Sequence, residues 1–223
     1  MHDADEQSGK PESIKEDFLI SMVRVIAEIG VNWRNLDEAD KMIKEAANAG
    51  ADIAKFQVYE CKGFPIGSQL YNIALTQRDI AYLFYRCCSH GIEFLATPMY
   101  PAAVGMLDPF VERWKIRYMD RNNKEIIDLC SATGKPMLVS GKNMYCVPEY
   151  PPQKAPIIDL PGRFLGVSSH YPDINVVEKW GKQVDYLEVH VKRDNYDPAW
   201  CCPDNHVSIT MSELAELCRR LKG

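Results

Sequence analysis

The chain has 223 residues, with 26 lysines and arginines against 31 aspartates and glutamates and a formal net charge of −5. This length fits one α/β domain, and a hydrophobic fraction of 46% is enough for a sizeable core. The acidic balance argues against a nucleic-acid-binding surface, which would show a clustered basic excess. No apolar run approaches the roughly 20 residues of a membrane span. We therefore predict a cytoplasmic protein with neither nucleic acid nor membrane as a partner.

The first residues are polar and acidic and lack the basic start and apolar centre of a secretory signal. We predict a flexible tail over residues 1–17 and one domain over 18–223. The chain has eight cysteines, and two adjacent pairs (Cys87-Cys88 and Cys201-Cys202) with no C-x-x-C spacing do not match a structural zinc site. Reduced thiols are therefore the prediction.

Strands and helices are predicted to alternate along the chain. The first strand is VRVIAEIG (23–30), and the first helix (35–50) begins with Asn35 and Glu38 at the spacing of a capping box. The second helix (76–91) begins with Thr76 and Asp79 at the same spacing. Further strands are predicted at 52–59, 93–99, 113–119, 136–141, 143–149, 164–170 and 185–193, and further helices at 101–110, 123–133, 174–183 and 210–223.

This alternation predicts a parallel sheet with right-handed crossovers. Eight strand-like runs favour a compact, closed (β/α)8 TIM-type barrel over an open sheet. Two connections depart from the regular pattern. Only a few residues separate 136–141 from 143–149, and the proline-rich stretch 150–163 cannot form a regular helix. The helices after strands 5 and 6 are therefore predicted to be missing or replaced by loops.

Charged and polar side chains interrupt the predicted strands. Parallel strands covered on both faces should read as almost continuous apolar runs, and a buried charge is costly unless it is paired or bound to a ligand. A barrel enzyme keeps its active site at the C-terminal ends of its strands. The set therefore predicts a functional site there, against the alternative of a satisfied polar network inside the barrel. Its members are Glu28, Lys55, Gln57, Lys115, Ser168, His170, Glu188 and His190.

The residue types in this set suit metal binding, anion binding and proton transfer. His170 and His190 lie on strands predicted to be neighbours and are candidate ligands of a divalent metal, since neutral imidazole is the commonest metal ligand. Lys55 and Lys115 suit a substrate that carries phosphate or carboxylate. The two glutamates suit proton transfer. The residues alone predict a metal, an anion and acid–base groups, and they leave the substrate open.

Several motifs also follow the order of one known family. They are IAEIGVN (26–32), GADIAKFQVY (50–59), GIEFLATPM (91–99), WKI (114–116), TGKPMLVSG (133–141), YCVPEYP (145–151), GVSSHYPD (166–173), LEVHVKRD (187–194) and CPDNHVS (202–208). Over about residues 23–222 the chain resembles the barrel domain of the sialic acid synthase (N-acetylneuraminate synthase) family.

This resemblance implies a transferase of carbohydrate biosynthesis. Such an enzyme condenses phosphoenolpyruvate with the open-chain aldehyde of an N-acetylated amino sugar, giving a 2-keto sugar acid and phosphate. It implies Mn2+ or Mg2+ held by His170 and His190, with the ion polarising the aldehyde oxygen as a Lewis acid. The residues implied for substrate binding are Thr97, Lys115, Ser140, Tyr150 and Ser168, and those implied for catalysis are Glu28, Lys55, Gln57, Glu188 and Asp204.

The chain departs from the family pattern in several places. After WKI the family has a small glycine- and serine-containing segment ending in Glu, whereas this chain has Arg117-Tyr118-Met119-Asp120. Pro148 replaces an asparagine, and Trp33 replaces a histidine. Family members also carry a C-terminal antifreeze-like domain that brings an arginine to a partner subunit's active site, and none follows Gly223 in this sequence. We therefore expect a homodimer, or a separate chain that supplies the missing domain.

Three functions remain open at this stage. The favoured one is the phosphoenolpyruvate-dependent synthase. A metal-dependent aldolase or lyase on another oxo-acid would suit the altered segment 117–120 beside the retained histidines. A non-catalytic sugar-binding protein would suit the shortened scaffold. The segment 194–206, with Tyr196, Trp200, Cys201 and Cys202, is predicted to cover the site and to bring Asp204 to the metal, and the alternative is an ordinary surface loop between strand and helix.

Overall fold

The structure is a computed structural model that describes residues 22–154, 156–195 and 202–223; the predicted tail and part of the predicted cover segment lie outside these ranges. The strands are β1 Arg24–Gly30, β2 Ile53–Val58, β3 Glu93–Pro98, β4 Trp114–Ile116, β5 Met137–Val139, β6 Met144–Cys146, β7 Gly166–Ser169, β8 Tyr186–Lys192 and β9 Ile209–Thr210. The α-helices are α1 Leu36–Asn48, α2 Gln69–Asn72, α3 Gln77–Ser89, α4 Pro101–Leu107, α5 Lys124–Ala132, α6 Ile174–Gly181 and α7 Met211–Lys222, with short 3-10 helices at Tyr118–Asp120 and Asn205–Val207.

The strands form a parallel sheet that curves back towards its own start. Its order is β3-β2-β1-β8-β7-β6, with β9 beside β8, while β4 and β5 form a separate parallel pair. The first strand therefore lies next to the eighth, with Glu28 opposite His190 in the register. The chain is an α/β protein with a parallel, half-barrel sheet. No helix in the described part of the chain has the length and apolar content that crossing a bilayer requires.

The inside of the curved sheet is built in layers, because alternate residues of a strand point to opposite faces. An apolar layer lies beneath the polar residues at the strand ends. Each member stands two positions before a residue at those ends, as Ile26 does before Glu28 and Ile53 before Lys55. This layer supports the site from below. It consists of Ile26, Ile53, Leu95, Leu138 and Met144, with Tyr186 packed against it.

The hydrogen bonds at the N-termini of α1 and α3 agree with the predicted capping boxes except for one bond at α1. The Asn35 side chain accepts a hydrogen bond from the Glu38 backbone N–H, as predicted. The reciprocal half of that capping box is wrong, because the Glu38 carboxylate accepts instead from the backbone N–H and the guanidinium of Arg34. A charged donor one residue upstream outcompetes a neutral backbone amide. At α3 the box between Thr76 and Asp79 is complete.

The connection from β5 to β6 is unusual for parallel strands. It spans only residues 140–143. The Asn143 side chain accepts from the Val139 backbone N–H at 2.7 Å and donates to the Met137 carbonyl at 2.8 Å. The amide thus supplies to the edge of β5 the pair of hydrogen bonds that an adjacent strand would give.

No helix occurs in the described residues between β6 and β7. The loop is held partly by Trp180 of α6, whose indole donates to the Ile157 carbonyl at 2.7 Å. The proline-rich sequence of this region explains why a loop and not a helix covers these strands.

Candidate functional site

A cavity of about 310 Å3 opens at the C-terminal ends of the strands. All twelve residues predicted for catalysis, substrate binding or metal binding line it. The structure therefore brings together in one place side chains from seven strands and the loops that follow them. The remaining lining residues are Met99, Arg117, Tyr118, Met119, Cys146 and Pro148.

The floor of the cavity is a buried ion network. Lys55 Nζ lies 2.7 Å from Glu28 Oε2 and 3.7 Å from Glu188 Oε1. Lys115 Nζ lies 3.3 Å from Glu188 Oε2. All four side chains are at most 4% exposed. The network alternates two ammonium and two carboxylate groups, which offsets the cost of removing each charge from water.

Hydroxyl and amide groups fix this network in place. Lys55 donates to Thr97 Oγ1 at 3.2 Å, and Lys115 donates to Ser140 Oγ at 2.8 Å. On the acidic side, Ser168 donates to Glu188 Oε1 at 2.8 Å. Gln57 likewise donates to the Glu28 carboxylate at 2.7 Å. The floor therefore presents oriented ammonium and hydroxyl donors to the cavity, the arrangement that suits phosphate or carboxylate oxygens.

The ionisable groups of the floor differ in how far their pKa values are shifted, and therefore in how readily each loses its charge. Burial opposes ionisation of Glu188, but the neighbouring Lys115 and Lys55 outweigh it and lower the pKa of Glu188 to about 2. Burial also opposes charge on Lys55, yet the carboxylates of Glu188 and Glu28 raise the pKa of Lys55. For Lys115 burial prevails and lowers the pKa. Lys115 is therefore the floor lysine that loses its proton more readily.

The two predicted metal ligands face each other across the cavity. The His170 and His190 ring centroids are 5.4 Å apart. His170 Nδ1 lies 2.8 Å from the Val147 carbonyl, and His190 Nδ1 lies 3.2 Å from Asp204 Oδ2. The Val147 carbonyl at His170 Nδ1 favours the tautomer that leaves Nε2 of that ring with its lone pair, as in metal-binding histidines. Tyr150 stands between the rings, with its hydroxyl 3.0 Å from His190 Nε2.

These donors fit a divalent cation that keeps several water or substrate ligands. Burial, reinforced by His190, lowers the pKa of His170 to about 4, so this imidazole is neutral at pH 7. Burial opposes protonation of His190, but the hydrogen bond and charge of Asp204 raise the pKa of His190, which marks a position where positive charge is favoured. The described residues contain no group of three His, Cys, Asp or Glu side chains arranged to hold an ion. Other ligands would therefore complete the coordination.

Asp204 is positioned by a buried residue that sequence reasoning did not select. Asn32 accepts a hydrogen bond from the Asp204 backbone N–H at 3.0 Å and donates to the Val191 carbonyl at 2.9 Å and to Ser208 Oγ at 3.0 Å. One amide thus ties the end of β1 to β8 and to the segment that carries the carboxylate. The signal for Asn32 was a polar residue two positions after the end of a buried strand. Residues 196–201 of the predicted cover segment lie outside the described residues.

Cys146 is a second lining residue that the sequence did not identify. It stands two positions after Met144 of the inner apolar layer, so strand alternation turns it towards the cavity. Burial raises the pKa of the Cys146 thiol to about 11. The thiol is therefore protonated at pH 7 in the protein without ligands. No disulfide bond is formed by Cys61, Cys87, Cys88, Cys130, Cys146 or Cys218.

The mouth of the cavity is formed by the segment that departs from the family pattern. Arg117 pairs through Nε with the buried carboxylate of Asp120. The guanidinium of Arg121 lies 3.7 Å from the centroid of the Tyr118 ring. That ring packs against Gly141, where an added Cβ would lie 2.6 Å from it. The connections after β4 and β5 are therefore locked together at the mouth.

Replacing Gly141 with alanine is expected to destabilise the protein and displace the Tyr118 ring. Gly141 has φ +79° and no room for a Cβ. Gly134 is the matched control, because it has φ +74° and nothing within 4 Å of an added Cβ. Gly134→Ala should cost about 1–2 kcal/mol for the left-handed backbone, and Gly141→Ala about 1–3 kcal/mol more for overpacking. Urea unfolding measures both, and equal losses would contradict the packing role given to the ring.

The fold defines a class of protein, the parallel α/β proteins with a barrel-like sheet. Among solved structures, the sialic acid synthetase of Leptospira borgpetersenii matches with a TM-score of 0.67 and 23% identity over 90% of this chain and 83% of that chain. The 3-deoxy-D-arabino-heptulosonate 7-phosphate (DAHP) synthase of Thermotoga maritima matches with a TM-score of 0.72 and 12% identity, covering 91% of this chain and 69% of that chain. At these identities the likeness concerns the fold.

The sequence comparisons are more specific. The NeuB family model matches residues 42–145. The human N-acetylneuraminate-9-phosphate synthase is 26% identical over 253 aligned positions, which cover 89% of this chain and 69% of that protein. An uncharacterized protein of Methanocaldococcus jannaschii is 29% identical over 123 residues, 52% of this chain but only 36% of that protein. Together these matches confirm the predicted resemblance of this chain to sialic acid synthases.

Proposed function

We propose that this chain condenses phosphoenolpyruvate with an N-acetylated amino sugar aldehyde in a divalent-metal-dependent reaction. The observation that carries the proposal is the convergence of the buried lysines, their carboxylate partners and the two histidines on one cavity. The resemblance to sialic acid synthases supports the same reaction. We also propose that the half-barrel is part of a complete (β/α)8 barrel, with the β4–β5 pair standing between β3 and β6.

Each group of residues has a place in this proposal. The ammonium groups of the floor would bind the phosphate and carboxylate of phosphoenolpyruvate, with Thr97, Ser140 and Ser168 donating further hydrogen bonds. His170 and His190 would hold the metal, which when bound supplies Lewis acidity. Tyr150, within reach of both rings, would orient the sugar. Residues of the mouth would limit access of water.

Glu188 and Glu28 have different roles in this proposal. Glu188 stays ionised because its pKa lies near 2, so its role is to hold both lysines in position. Glu28 has one oxygen on Lys55 and the other on Gln57, which orients its carboxylate at the cavity floor. Glu28 is therefore the candidate for handling the proton as water adds and phosphate leaves.

A phosphate-release assay tests this function. The protein should release phosphate from phosphoenolpyruvate only when an N-acetylated amino sugar and Mn2+ or Mg2+ are present, and removal of the ion with EDTA should abolish turnover until the ion is restored. His190→Ala should also abolish turnover, and added Mn2+ or Mg2+ should not restore it. Cleavage of a 2-keto sugar acid without any use of phosphoenolpyruvate would favour the aldolase alternative. Phosphate release that is insensitive to EDTA would contradict the metal role.

A further inference from the structure

We propose that Asn32 and Ser208 are positioning residues that set how tightly the site binds a divalent ion, because they hold Asp204 beside His190. Neither side chain is among the described residues that line the cavity. The inference rests on the proposed function and deepens it. It extends the site to the turn after β1 and to the segment that leads into β9.

The Asn32 side chain connects the two backbone segments that carry His190 and Asp204. Its Oδ1 accepts from the Asp204 backbone N–H at 3.0 Å, and its Nδ2 donates at 2.9 Å to the carbonyl of Val191, the residue after His190. The direction of the amide is defined, because the reversed amide would turn its NH2 group towards a backbone N–H. Between the two segments, Asp204 Oδ2 lies 3.2 Å from His190 Nδ1. A shift of either segment would change that distance.

Ser208 closes these hydrogen bonds into a ring. Its Oγ donates to the Asp204 carbonyl at 2.7 Å and accepts from Asn32 Nδ2 at 3.0 Å. The backbone N–H and the backbone carbonyl of Asp204 are therefore both bonded to side chains that are 2% exposed. Buried hydrogen bonds of one network strengthen one another. The ring thus fixes the backbone from which the Asp204 carboxylate extends.

The turn that carries Asn32 is itself held in place. The Asn32 backbone N–H donates to the Ile29 carbonyl at 3.0 Å. The buried indole of Trp33 donates to the Gly30 carbonyl at 2.9 Å. The Asn32 amide therefore extends from a fixed point at the end of β1, and it can impose that position on Asp204.

The contact between Asp204 and His190 links this ring of hydrogen bonds to the ion. A partner on the outer nitrogen of a metal-binding histidine orients the imidazole, and its loss weakens metal binding by about 10–100-fold. Asp204 is the partner at His190 Nδ1. Asn32 and Ser208 act through Asp204, so their loss should have an effect near the lower end of that range. A purely structural role would lower stability and leave ion binding by the folded protein unchanged.

The test measures Mn2+ binding to the folded protein, without phosphoenolpyruvate or sugar, from the electron paramagnetic resonance signal of free Mn2+. Asn32→Ala should weaken Mn2+ binding about 10-fold, and Ser208→Ala about 3–10-fold. Because both residues act through one ring, the double variant should lose less than the product of the two single losses. The matched control is Asn143→Ala. It removes an amide with two comparable backbone bonds away from the cavity, so it should lower stability and leave Mn2+ affinity unchanged.

A second measurement follows the His190 ring without any metal. In a 1H–15N correlation spectrum of the imidazoles at constant pH, the His190 signals of Asn32→Ala and Ser208→Ala should move towards those of Asp204→Asn. The signals of Asn143→Ala should stay at the wild-type position.

The outcomes separate this inference from the proposed function. Unchanged Mn2+ affinity in the folded variants, or an equal loss in Asn143→Ala, would overturn the positioning role while leaving the metal-dependent reaction standing. Weaker Mn2+ binding with unmoved His190 signals would also overturn it, because the effect would not pass through Asp204. If the wild type binds no Mn2+, the proposed metal dependence fails, and the His190 signals alone decide the positioning role. If Asn32→Ala does not fold, Ser208→Ala decides both measurements.

Discussion

Replacing Glu188 with glutamine is expected to lower the free energy of unfolding by about 3–5 kcal/mol, because it removes one partner from a buried ion network. Glu188 lies within 3.7 Å of Lys55 and 3.3 Å of Lys115 and is buried. Glutamine keeps the size and the contact with Ser168 but leaves Glu28 as the one carboxylate of the floor network for two ammonium groups. Equilibrium urea unfolding at pH 7 measures the loss.

The matched control is Glu216→Gln. Glu216 also accepts from two cations, Arg219 and Arg220, but it lies on the outer surface of α7. Exposed pairs contribute little because water solvates the separated charges almost as well. The control should therefore leave stability nearly unchanged. Similar losses in the two variants would mean that the floor network is no more tightly coupled than a surface pair.

The same residue predicts a pH dependence with a defined sign. The folded pKa of Glu188 is about 2, below its ordinary value of 4.5, so its stabilising contribution is complete above pH 4.5 and is lost as the pH falls towards 2. The stability difference between wild type and Glu188→Gln should therefore be largest near neutral pH and shrink as the pH falls from 4.5 to 3. A difference that stays constant down to pH 3 would contradict the lowered pKa.

The alternation of strand residues explains why so much of the site was visible in the sequence. A charge within a buried strand is rare enough to stand out, as Lys55 and Lys115 do, and period-two spacing places each such residue on the inner face. The apolar layer two positions earlier completes the pattern. The same rule selects Cys146, which sequence reasoning passed over because a thiol among apolar residues resembles a small core side chain.

What the sequence could not predict depends on contacts between distant segments. Asn32 matters because it reaches Asp204 across 172 positions of sequence. The role of Asn143 as a substitute for a neighbouring strand follows from a turn geometry that composition does not encode. The capping prediction at Glu38 was wrong in part because Arg34, a competing charged donor, precedes the cap. In each case the partner is set by folding and not by local pattern.

Replacing Lys55 with methionine is expected to weaken phosphoenolpyruvate binding by about 1.5–3 kcal/mol, the contribution of a charge-assisted hydrogen bond. This corresponds to a loss of about 10–150-fold in affinity. Lys55 is fully buried in the floor, bonded to Thr97 and paired with Glu28, so its ammonium group is oriented before the ligand arrives. Isothermal titration calorimetry with phosphoenolpyruvate measures the change, and Lys182→Met, at an exposed lysine of the α6 end, is the control.

The single variant also leaves Glu28 with a buried, unpaired charge, which could unfold the protein and conceal the binding effect. The double variant Lys55→Met/Glu28→Gln removes both charges together and should retain more of the wild-type stability than Lys55→Met alone. If Lys55 binds the anion directly, the double variant should still show the reduced affinity, because no ammonium group remains at that position. If the double variant recovers wild-type affinity, Lys55 serves only to neutralise Glu28, and the phosphate and carboxylate must be bound from the Lys115 side of the floor.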